Sequence, residues 1–582
     1  MAYQKQKIFH TIYLPIVDNA GYFLFCLLCL SFKTVLTIIP QYNIPFLYPA
    51  FFCWISIAFL YSYIFVTLTH ITKTRLCRYI ILSCVTTLSV IQLFLKTNFN
   101  QWISPMALQP LFETDKSEAI GFLQTFIISK GTLIAVLFGI SLLILYLLLK
   151  TKLLVYCKSL IIKLRAFVIS MVLIGFSFFI YQSCTLLKCN DSIQVEFWSH
   201  SRAIYAMDNL SATVYSLYSL SINSKQVQNS INHSVELLNK TPNCFIEYPK
   251  PIVVLIIGES FIKYHSNLYG YHLKTNPKLS QRNPVVFNNA FSPYNLTSEV
   301  LKNFFSLNRI SNGEHWFEHP IFPVLMKKAG YSIYFWDNQY NKSGAESDFN
   351  LNYLLHNKQI SRLIYTKTND KQFKYDGMLI DDFFKNYKQQ DNLFAIFHLK
   401  GQHMPAKDKY PALFEKEQSL VSVNDIVCNN TWITEAKKRT ISEYDNATLY
   451  NDNVIEKVIK FFENKNAAVL YFSDHGDEVY DYRDRYGREF NVINDSIFKY
   501  QYEIPLFVWF SNKYKKQFPQ TVANINKIKD SLISTDDIGD LVLSLANINV
   551  VNLSSNHNPY SIDYSEKSKY AIINNRKTYI SQ

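Results

Sequence analysis

Long apolar stretches dominate the first part of the chain, whereas the rest mixes apolar and polar positions over short intervals. Five of these stretches come close to the roughly 20 residues that a helix needs to cross a bilayer. Core helices of a soluble protein are a poor alternative, because so many long apolar segments follow one another. No small-residue cleavage site follows the first stretch, so we expect it to be retained. The pattern predicts five membrane-spanning helices, at residues 19–39, 45–69, 77–96, 131–149 and 166–187.

Beyond about residue 246, short apolar runs alternate with helical patterns. Strands that alternate with helices are typical of βαβ units, which build a mostly parallel sheet. We therefore predict an α-helical transmembrane domain of five spans followed by an α/β domain with a central, mostly parallel sheet. The apolar runs are 252–257, 330–336, 392–398, 467–473 and 504–509, and helical patterns such as 447–464 and 536–546 lie between or after them.

Two segments show neither a long apolar stretch nor a clear strand. The loop at about 97–130 contains a helical pattern, which is typical either of an amphipathic segment on the membrane surface or of a solvated surface helix. Residues 190–245 are polar, with Tyr and Ser at scattered helical spacing, and predict a bridging helix and linker. The predicted domains are therefore 1–189 for the transmembrane part, 190–245 for the bridge and 246–582 for the α/β part.

Basic residues flank the predicted spans unevenly and indicate how the spans are oriented. Loops rich in Lys and Arg generally face the cytoplasm. The amino terminus is therefore predicted in the cytoplasm, and everything beyond about residue 190 on the other side of the membrane. Lys33, near the end of the first span, is expected to extend its amine to the surface. The flanking residues are Lys5, Lys7, Lys73, Arg75, Arg78, Lys150, Lys152, Lys158, Lys163 and Arg165.

The formal net charge of +13 suits contact with anionic membrane surfaces. Nucleic acid is not expected as a partner, because a domain outside the cytoplasm does not meet it. The charge therefore favours a lipid environment over a nucleic-acid function.

Metal-binding side chains directly follow two of the predicted strands. Glu259 comes after the run 252–257, and Asp474 and His475 come after the run 467–473. The carboxyl ends of strands are where α/β sheets place ligands, although Glu259 alone is also compatible with capping the next helix. Two carboxylates and an imidazole suit Zn²⁺ with an open fourth position.

Two more acids follow the second of these strands. Asp477 and Glu478 lie close behind His475, but a single metal ion cannot use every acid of this segment. We expect the two side chains to be solvated in a loop, and a second metal ion is the alternative.

Several short motifs follow one another in an order that resembles a known family. Together with the five spans, their order and spacing resemble the periplasmic phosphoethanolamine transferases of the alkaline-phosphatase-like superfamily. That resemblance implies a zinc enzyme in the bacterial inner membrane, with an alkaline-phosphatase-like catalytic domain in the periplasm. The motifs are Glu113–Glu118, Gly258-Glu-Ser260, Leu268-Tyr-Gly-Tyr271, Thr275-Asn-Pro277, Phe287–Thr297, His398-Leu-Lys-Gly-Gln-His403, Glu443-Tyr-Asp-Asn446 and Ser473-Asp-His-Gly476.

The resemblance also implies a role for individual residues. Thr297 matches the family's nucleophilic threonine, which also binds the zinc ion. The other zinc ligands match Glu259, Asp474 and His475. The resemblance further implies substrate-binding residues: His403 and His398 near the transferred headgroup, Lys342 in contact with it, and Thr114 and Glu118 in contact with the donor lipid.

Elementary chemistry supports a metal-bound threonine independently. A threonine hydroxyl is a poor nucleophile at neutral pH and needs a metal ion or a base to lose its proton. Zinc lowers the pKa of a bound hydroxyl and neutralises charge on phosphoryl oxygens. Ser260, directly beside Glu259, is the rival nucleophile.

The sequence departs at two places from the family members that modify lipid A. Pro293 and Tyr294 stand where those members carry cysteines, and Tyr486-Gly-Arg-Glu489 lacks the histidine that many place after the Asp-His-Gly motif. The segments Asp474–Asp481 and Asp337-Asn-Gln339 resemble instead the branch that modifies core sugars of lipopolysaccharide. The acceptor is therefore open between lipid A, a core sugar and another envelope glycan.

The resemblance implies zinc-dependent transfer of phosphoethanolamine from phosphatidylethanolamine to such an acceptor, through a phospho-threonine intermediate. A phosphoglycerol transferase or a sulfatase of the same superfamily is the alternative, because Glu259, Thr297 and the Asp-His pair do not distinguish these activities. A catalytically inactive envelope scaffold is a third hypothesis, although no metal-ligand position is degraded.

Overall fold

The computed structural model divides the chain into two compact units, with a boundary near Asn223. The predicted domain limits at 189 and 245 stay predictions, and the predicted helical segment of the 97–130 loop lies almost wholly outside the described residues. The structure describes residues 13–38, 47–105, 107–108, 120, 126–151, 154–188, 207–239, 244–246, 250–339, 355–389, 392–412, 414, 421–427, 430–489, 492–550, 568–573 and 576–579.

Five helices of the first unit are long and apolar enough to cross a membrane. Each lies within three residues of a predicted span at both ends, so the prediction of five spans is confirmed. The helices of this unit are α1 (Ala20–Ile38), α2 (Leu47–Thr72), α3 (Arg75–Phe99), α4 (Lys130–Lys150), the short α5 (Leu154–Lys163) and α6 (Arg165–Lys188).

Lys33 in α1 is buried, so the prediction that its amine extends to the surface is wrong. Its side chain is 1% exposed, and Asp208, with which its charge interacts, is 0% exposed. Asp208 directly precedes helix α7 (Asn209–Asn239) and accepts hydrogen bonds from the backbone N–H groups of Leu210 and Ser211, at 3.0 and 3.1 Å. A carboxylate inside the protein therefore compensates the buried amine.

The second unit is built around a sheet of seven strands, in the order β3-β9-β8-β2-β7-β5-β6. Strands β8, β2, β7, β5 and β6 run parallel, whereas β9 is antiparallel to β8 and β3 is antiparallel to β9. The predicted central, mostly parallel sheet is confirmed. The strands are β1 (Cys244–Ile246), β2 (Ile252–Gly258), β3 (Val285–Val286), β4 (Asn289–Phe291), β5 (Ser332–Asp337), β6 (Lys367–Thr368), β7 (Leu393–His398), β8 (Ala467–Ser473), β9 (Leu506–Phe510), β10 (Leu532–Ser534), β11 (Ile548–Val550), β12 (Tyr570–Ile573) and β13 (Arg576–Tyr579).

Helices cover the sheet and close its core. Helix α13 (Glu435–Phe462) is amphipathic and packs Val454, Ile455 and Phe462 into the same apolar cluster as Val254 and Ile256 of β2. Each fully buried aliphatic side chain of this kind contributes on the order of 1.5–3 kcal/mol. The helices are α8 (Pro277–Arg282), α9 (Thr297–Phe305), α10 (Pro323–Lys328), α11 (Lys358–Ile364), α12 (Asp376–Asn386), α13 (Glu435–Phe462), α14 (Asp495–Gln501), α15 (Asn512–Gln517), α16 (Pro519–Ile528) and α17 (Ile538–Leu545).

Strand β2 occupies the centre of the sheet because both of its faces and both of its edges are covered. All seven of its residues are buried, and it pairs in parallel with β7 on one side and β8 on the other. The register places Gly258 opposite Ser473, and Ile257 opposite His398. Since Asp337 of β5 also lies opposite His398, the carboxyl ends of four parallel strands meet at one edge of the sheet.

Candidate active site

Four side chains converge at this edge: Glu259, Asp474 and His475, which follow two of the strands, and Thr297, the first residue of α9. The Thr297 hydroxyl oxygen lies 3.0 Å from Glu259 Oε2 and 3.2 Å from His475 Nε2. His475 Nε2 in turn lies 3.1 Å from Asp474 Oδ2 and 3.5 Å from Glu259 Oε1. The structure thus brings together the four residues that the sequence singled out as metal ligands.

The Glu259 carboxylate is held by neighbouring donors. Its Oε1 accepts a hydrogen bond from the Ser260 hydroxyl at 2.7 Å, and its Oε2 accepts one from the Gln339 amide at 3.1 Å. Ser260, the rival nucleophile, is fully buried and has a left-handed backbone with φ of 56°. Its hydroxyl therefore orients Glu259. Gln339 was not identified as a site residue from the sequence.

Asp474 and His475 each contribute one donor atom, Oδ2 and Nε2, to the same cluster. Asp474 Oδ1 accepts from the backbone N–H groups of Ser260 and His475, at 3.0 and 2.7 Å, whereas the buried Oδ2 has no hydrogen-bond partner among the described residues. The His475 Nδ1–H donates to the Gly476 carbonyl oxygen at 2.7 Å, which leaves the lone pair of Nε2 facing Asp474 and Glu259.

The cluster is electrostatically incomplete without a cation. One ligand atom each from Glu259, Asp474 and His475 lies within 4.8 Å of the others, and all three side chains are buried. Burial acts to lower the pKa of His475, but Asp474 raises it above its ordinary value, while burial acts to raise the pKa of Asp474 and His475 lowers it. Oxygen and imidazole donors at such spacing fit a zinc ion, and Asp474 Oδ2, which accepts no hydrogen bond from the described residues, could serve as one of its ligands.

His398 lies at the same edge of the sheet, at the end of β7. Its Nδ1 lies 3.0 Å from Asp337 Oδ1, and its buried Nε2 has no hydrogen-bond partner among the described residues. Asp337 also contacts His356 Nε2, at 2.8 Å. Burial acts to lower the pKa of His398, but Asp337 raises it, and the charges of Glu259 and Asp474 act in the same direction. Neither Asp337 nor His356 was assigned a role from the sequence, although Asp337 directly follows a predicted strand.

His403 lies on a loop that packs against Glu259. Its ring is half-buried, and its Nδ1 contacts the Met404 carbonyl oxygen at 3.0 Å. The loop turns at Gly401, where φ is 49° and where an added Cβ atom would lie 2.6 Å from the carbonyl oxygen of Glu259. Asp376 fixes the turn by accepting the backbone N–H group of Gly401 at 3.0 Å. Only glycine fits this position.

Arg488 approaches the cluster from a separate loop. Its Nη1 lies 2.5 Å from His475 Nε2 and donates to the carbonyl oxygen of Asn295 at 2.8 Å. The sequence had indicated only that this segment lacks a histidine, and no local pattern showed that the arginine reaches the site.

Asp477 and Glu478 are buried, so the prediction of two solvated loop acids is wrong. Their exposed fractions are 4% and 1%. Glu478 accepts hydrogen bonds from Arg483 Nε at 2.7 Å and from the Tyr482 hydroxyl at 3.0 Å, which assigns it to the packing of its own loop. Asp477 interacts electrostatically with Arg488.

Three of the predicted site residues lie outside the described residues. These are Lys342, Thr114 and Glu118, and their predicted contacts with the headgroup and the donor lipid stay predictions.

Comparison with known proteins places the α/β unit in one family. The model of the Sulfatase family matches residues 251–548. Over 278 residues, the chain is 29% identical to the phosphoethanolamine transferase EptC of Escherichia coli K12, and the match covers 46% of each protein. Over 283 residues, it is 27% identical to the Kdo(2)-lipid A phosphoethanolamine 7''-transferase of Salmonella typhimurium, and this match covers 47% of each protein. The chain spans about half the length of the curated relatives it matches. The resemblance found in the sequence motifs is confirmed.

One solved structure matches nearly the whole chain. It is the integral membrane protein lipooligosaccharide phosphoethanolamine transferase A (EptA) from Neisseria meningitidis, with a TM-score of 0.57 and 16% sequence identity. The match covers 94% of this chain and 98% of that protein. It confirms the predicted fold, in which membrane-spanning helices precede an α/β unit.

Proposed function

Because the chain belongs to the sulfatase family, we propose that it is a zinc-dependent phosphoethanolamine transferase that works through a phospho-threonine. The observation that carries this proposal is the position of the Thr297 hydroxyl, 3.0 Å from Glu259 Oε2 and 3.2 Å from His475 Nε2. The names of the relatives, which are 27% and 29% identical over about half of the chain, support this activity within the family.

Glu259, Thr297, Asp474 and His475 would hold the zinc ion. Two observations support this assignment: the buried Oδ2 of Asp474 accepts no hydrogen bond within the described part of the chain, and the lone pair of His475 Nε2 faces Asp474 and Glu259. When bound there, zinc lowers the pKa of the threonine hydroxyl and offsets negative charge on the phosphoryl oxygens.

Thr297 would form and later break the covalent bond to phosphorus. In the first step, its Oγ1 bonds to the phosphorus of phosphatidylethanolamine, the bond from phosphorus to the diacylglycerol oxygen breaks, and the hydroxyl proton ends on the released diacylglycerol. In the second step, an acceptor hydroxyl bonds to phosphorus, Thr297 Oγ1 leaves, and the acceptor's proton returns to the threonine. Glu259, which accepts the Thr297 hydrogen bond, orients that proton in both steps.

The remaining proposed residues would bind the substrates. His398 supports this role because its buried Nε2 has no hydrogen-bond partner in the described ranges and because its charge interacts with the two acids of the cluster. We assign His403 and Lys342 to the headgroup, and Thr114 and Glu118 to the donor lipid, on the sequence resemblance.

A bilayer and its glycolipids would provide both substrates. The five membrane-crossing helices keep the enzyme next to phospholipid, which supports a phosphatidylethanolamine donor in the bacterial inner membrane. A relative that is named for lipid A supports lipopolysaccharide, at lipid A or a core sugar, as the acceptor on the periplasmic side.

The experiment that tests the function is mass spectrometry of the protein after incubation with phosphatidylethanolamine vesicles. The wild-type protein should carry phosphoethanolamine on Thr297, Thr297→Ser should carry it at a lower rate, and Thr297→Ala should carry none. Thermal unfolding of the three proteins should agree, since Thr297 is only half-buried.

Other outcomes would overturn the proposal. Full transfer by Thr297→Ala would exclude the threonine as nucleophile. A phosphoglycerol adduct from phosphatidylglycerol vesicles, or hydrolysis of a sulfate ester without any phosphoethanolamine adduct, would establish a different activity of the same family. Mass spectrometry of lipopolysaccharide from cells with and without the gene identifies the acceptor.

A further inference from the structure

The Arg488 guanidinium is in direct contact with the candidate metal-binding cluster. Its Nη1 bridges His475 Nε2, at 2.5 Å, and the carbonyl oxygen of Asn295, at 2.8 Å. Asn295 stands two residues before Thr297, so one guanidinium group spans the metal-binding imidazole and the segment that carries the nucleophile.

The backbone next to Arg488 is fixed to that same segment. The Asn295 side-chain amide donates to the Glu489 carbonyl oxygen at 2.8 Å and to Gln501 Oε1 at 2.9 Å. Gln501 Oε1 also accepts the Glu489 backbone N–H group at 2.9 Å. Glu489 and Gln501 are both buried, so these hydrogen bonds hold the loop in place and keep Arg488 beside the site.

The contact with His475 is one that a metal ion would replace. His475 uses its Nδ1–H on the Gly476 carbonyl oxygen, so Nε2 has a single lone pair to offer. A zinc ion held by Glu259, Asp474 and His475 would compete with Arg488 for that lone pair. Metal binding would therefore free a guanidinium N–H, while the Nη1 contact with Asn295 would keep the group beside Thr297.

A phosphoryl group needs a cation at this place. A divalent ion would offset Glu259 and Asp474, Arg488 interacts electrostatically with the further acid Asp477, and a phosphodiester would bring one more negative charge. Among the described residues, the hydrogen bonds of Arg488 run from Nη1 alone, which leaves Nε and Nη2 for another acceptor. A guanidinium fork matches two phosphoryl oxygens, and such charged hydrogen bonds are stronger than neutral ones.

We propose that Arg488 binds the non-bridging oxygens of the transferred phosphoryl group and is a further catalytic residue of this enzyme. The inference rests on the proposed function. Its physical basis is that positive charge already in position stabilises the charge that develops on these oxygens as the bond to Thr297 forms and breaks.

The test uses the full-length, zinc-loaded protein in detergent and inorganic phosphate as the probe. Calorimetric titration should show phosphate binding at least about tenfold weaker in Arg488→Met than in the wild type, the loss expected for about 1.4 kcal/mol of charge-assisted hydrogen bonding. Arg488→Lys, which keeps the charge but not the fork, should fall between the two. Zinc affinity, measured by competition with a chelator, should be unchanged or higher in Arg488→Met, because a competitor for His475 Nε2 is gone.

Arg485→Met is the matched control. Arg485 belongs to the same loop, donates to the Arg488 carbonyl oxygen at 2.8 Å and lies 3.2 Å from Glu489 Oε2, but it makes no contact with His475 among the described residues. Its substitution removes the same charge and one tether of the loop, and it should leave both affinities unchanged. Equal phosphate losses in the two methionine variants would show that loop packing is responsible and would overturn the proposal.

Kinetics separate this inference from the proposed function. Arg488→Met should slow the appearance of the phosphoethanolamine adduct on Thr297 through kcat more than through KM. The inference would be refuted if Arg488→Met bound phosphate as tightly as the wild type. It would also be refuted if the variant lost zinc affinity or thermal stability, because Arg488 would then act only by positioning His475. If the wild-type protein forms no adduct at all, the proposed function fails, and the phosphate titrations still decide whether Arg488 binds a phosphoryl anion.

Discussion

The amide group of Gln339 joins Glu259 to the neighbouring strand segment. Its Nε2 lies 3.1 Å from Glu259 Oε2 and 2.7 Å from the carbonyl oxygen of Leu399. A single nitrogen with two hydrogens thus fixes the carboxylate relative to the backbone that follows β7. Groups that orient a metal ligand in this way commonly affect metal affinity or activity by about 10–100-fold.

We predict that Gln339→Met lowers zinc affinity by about tenfold or more, because Glu259 loses a donor that fixes its rotamer. Gln339→Glu should lower it further, since a second carboxylate then faces Glu259. Zinc affinity is measured by chelator competition, with Gln359→Met at an exposed position as the control. A zinc affinity of Gln339→Met equal to that of the wild type would show that Glu259 is positioned without this contact.

Chelation should lower the unfolding temperature of the wild-type protein but not that of Asp474→Asn. A ligand present at a hundred times its Kd raises the free energy of unfolding by about 2.7 kcal/mol. Asp474→Asn removes the oxygen that would bind the ion, but its amide keeps a carbonyl oxygen that accepts the Ser260 N–H group. Differential scanning calorimetry with and without chelator measures the difference. Asp484→Asn, at an exposed carboxylate, should behave like the wild type.

A second prediction on Asp474→Asn concerns the metal-free protein. The variant should be only slightly less stable than the metal-free wild type, because its amide oxygen still accepts the N–H groups of Ser260 and His475, and only the charge attraction between Asp474 and His475 is lost. Marked destabilisation of the metal-free variant would indicate that Asp474 is needed for folding and not for a metal ion.

His265 is clamped between two carboxylates away from the site. Its Nδ1 lies 2.6 Å from Asp445 Oδ1 and its Nε2 lies 2.8 Å from Asp481 Oδ1. Burial acts to lower the pKa of His265, but the two acids raise it to about 10. The imidazolium is therefore retained far above the ordinary value of about 6.5.

Because the folded-state pKa of His265 is raised, its stabilising contribution is complete below about pH 6.5 and is lost as pH rises toward about 10. We predict that His265→Gln lowers the free energy of unfolding most at pH 6, and that the difference from the wild type shrinks steadily between pH 6.5 and 10. Chemical denaturation across this range measures it, with the exposed His272→Gln as control. A difference that does not change with pH would contradict an ionic role for His265.

The sequence predicted the residues whose positions follow from local pattern. Glu259, Asp474 and His475 each follow an unbroken apolar run, and the parallel sheet then brings the ends of those runs together. Gln339 and Arg488 could not be found in this way, because their roles depend on which distant segments pack together. Asp477 and Glu478 were wrongly predicted to be solvated for the same reason. The local density of charge does not show that Arg483 and Tyr482 fold back and donate hydrogen bonds to Glu478.

In the first unit, too, the local pattern predicted the helices but not the contacts between them. Hydropathy located all five membrane-crossing helices, but it could not show that Lys33 finds a carboxylate 175 positions later in the chain, at Asp208. The neighbour of a buried charge is a property of helix packing, and a single span carries no sign of it.

We predict that Lys33→Met destabilises the detergent-solubilised protein by about 3–5 kcal/mol, because it leaves the buried Asp208 carboxylate without its compensating charge. The double variant Lys33→Met with Asp208→Asn should recover most of the loss. Thermal unfolding of the two single variants and the double variant measures the coupling, and Lys73→Met, at an exposed lysine, is the control. Additive effects of the two substitutions would show that the charges are not coupled.

The absence of a side chain at Gly401 links two parts of the site mechanically. With only a hydrogen atom separating the turn from the Glu259 backbone, the His403 loop cannot shift inward without displacing the strand end that carries Glu259. If the proposed transferase binds its headgroup at His403, a poorly fitting headgroup that distorts this loop would therefore also displace Glu259. Discrimination between headgroups should then appear in turnover more than in affinity, so that an incorrect lipid is held but rarely used.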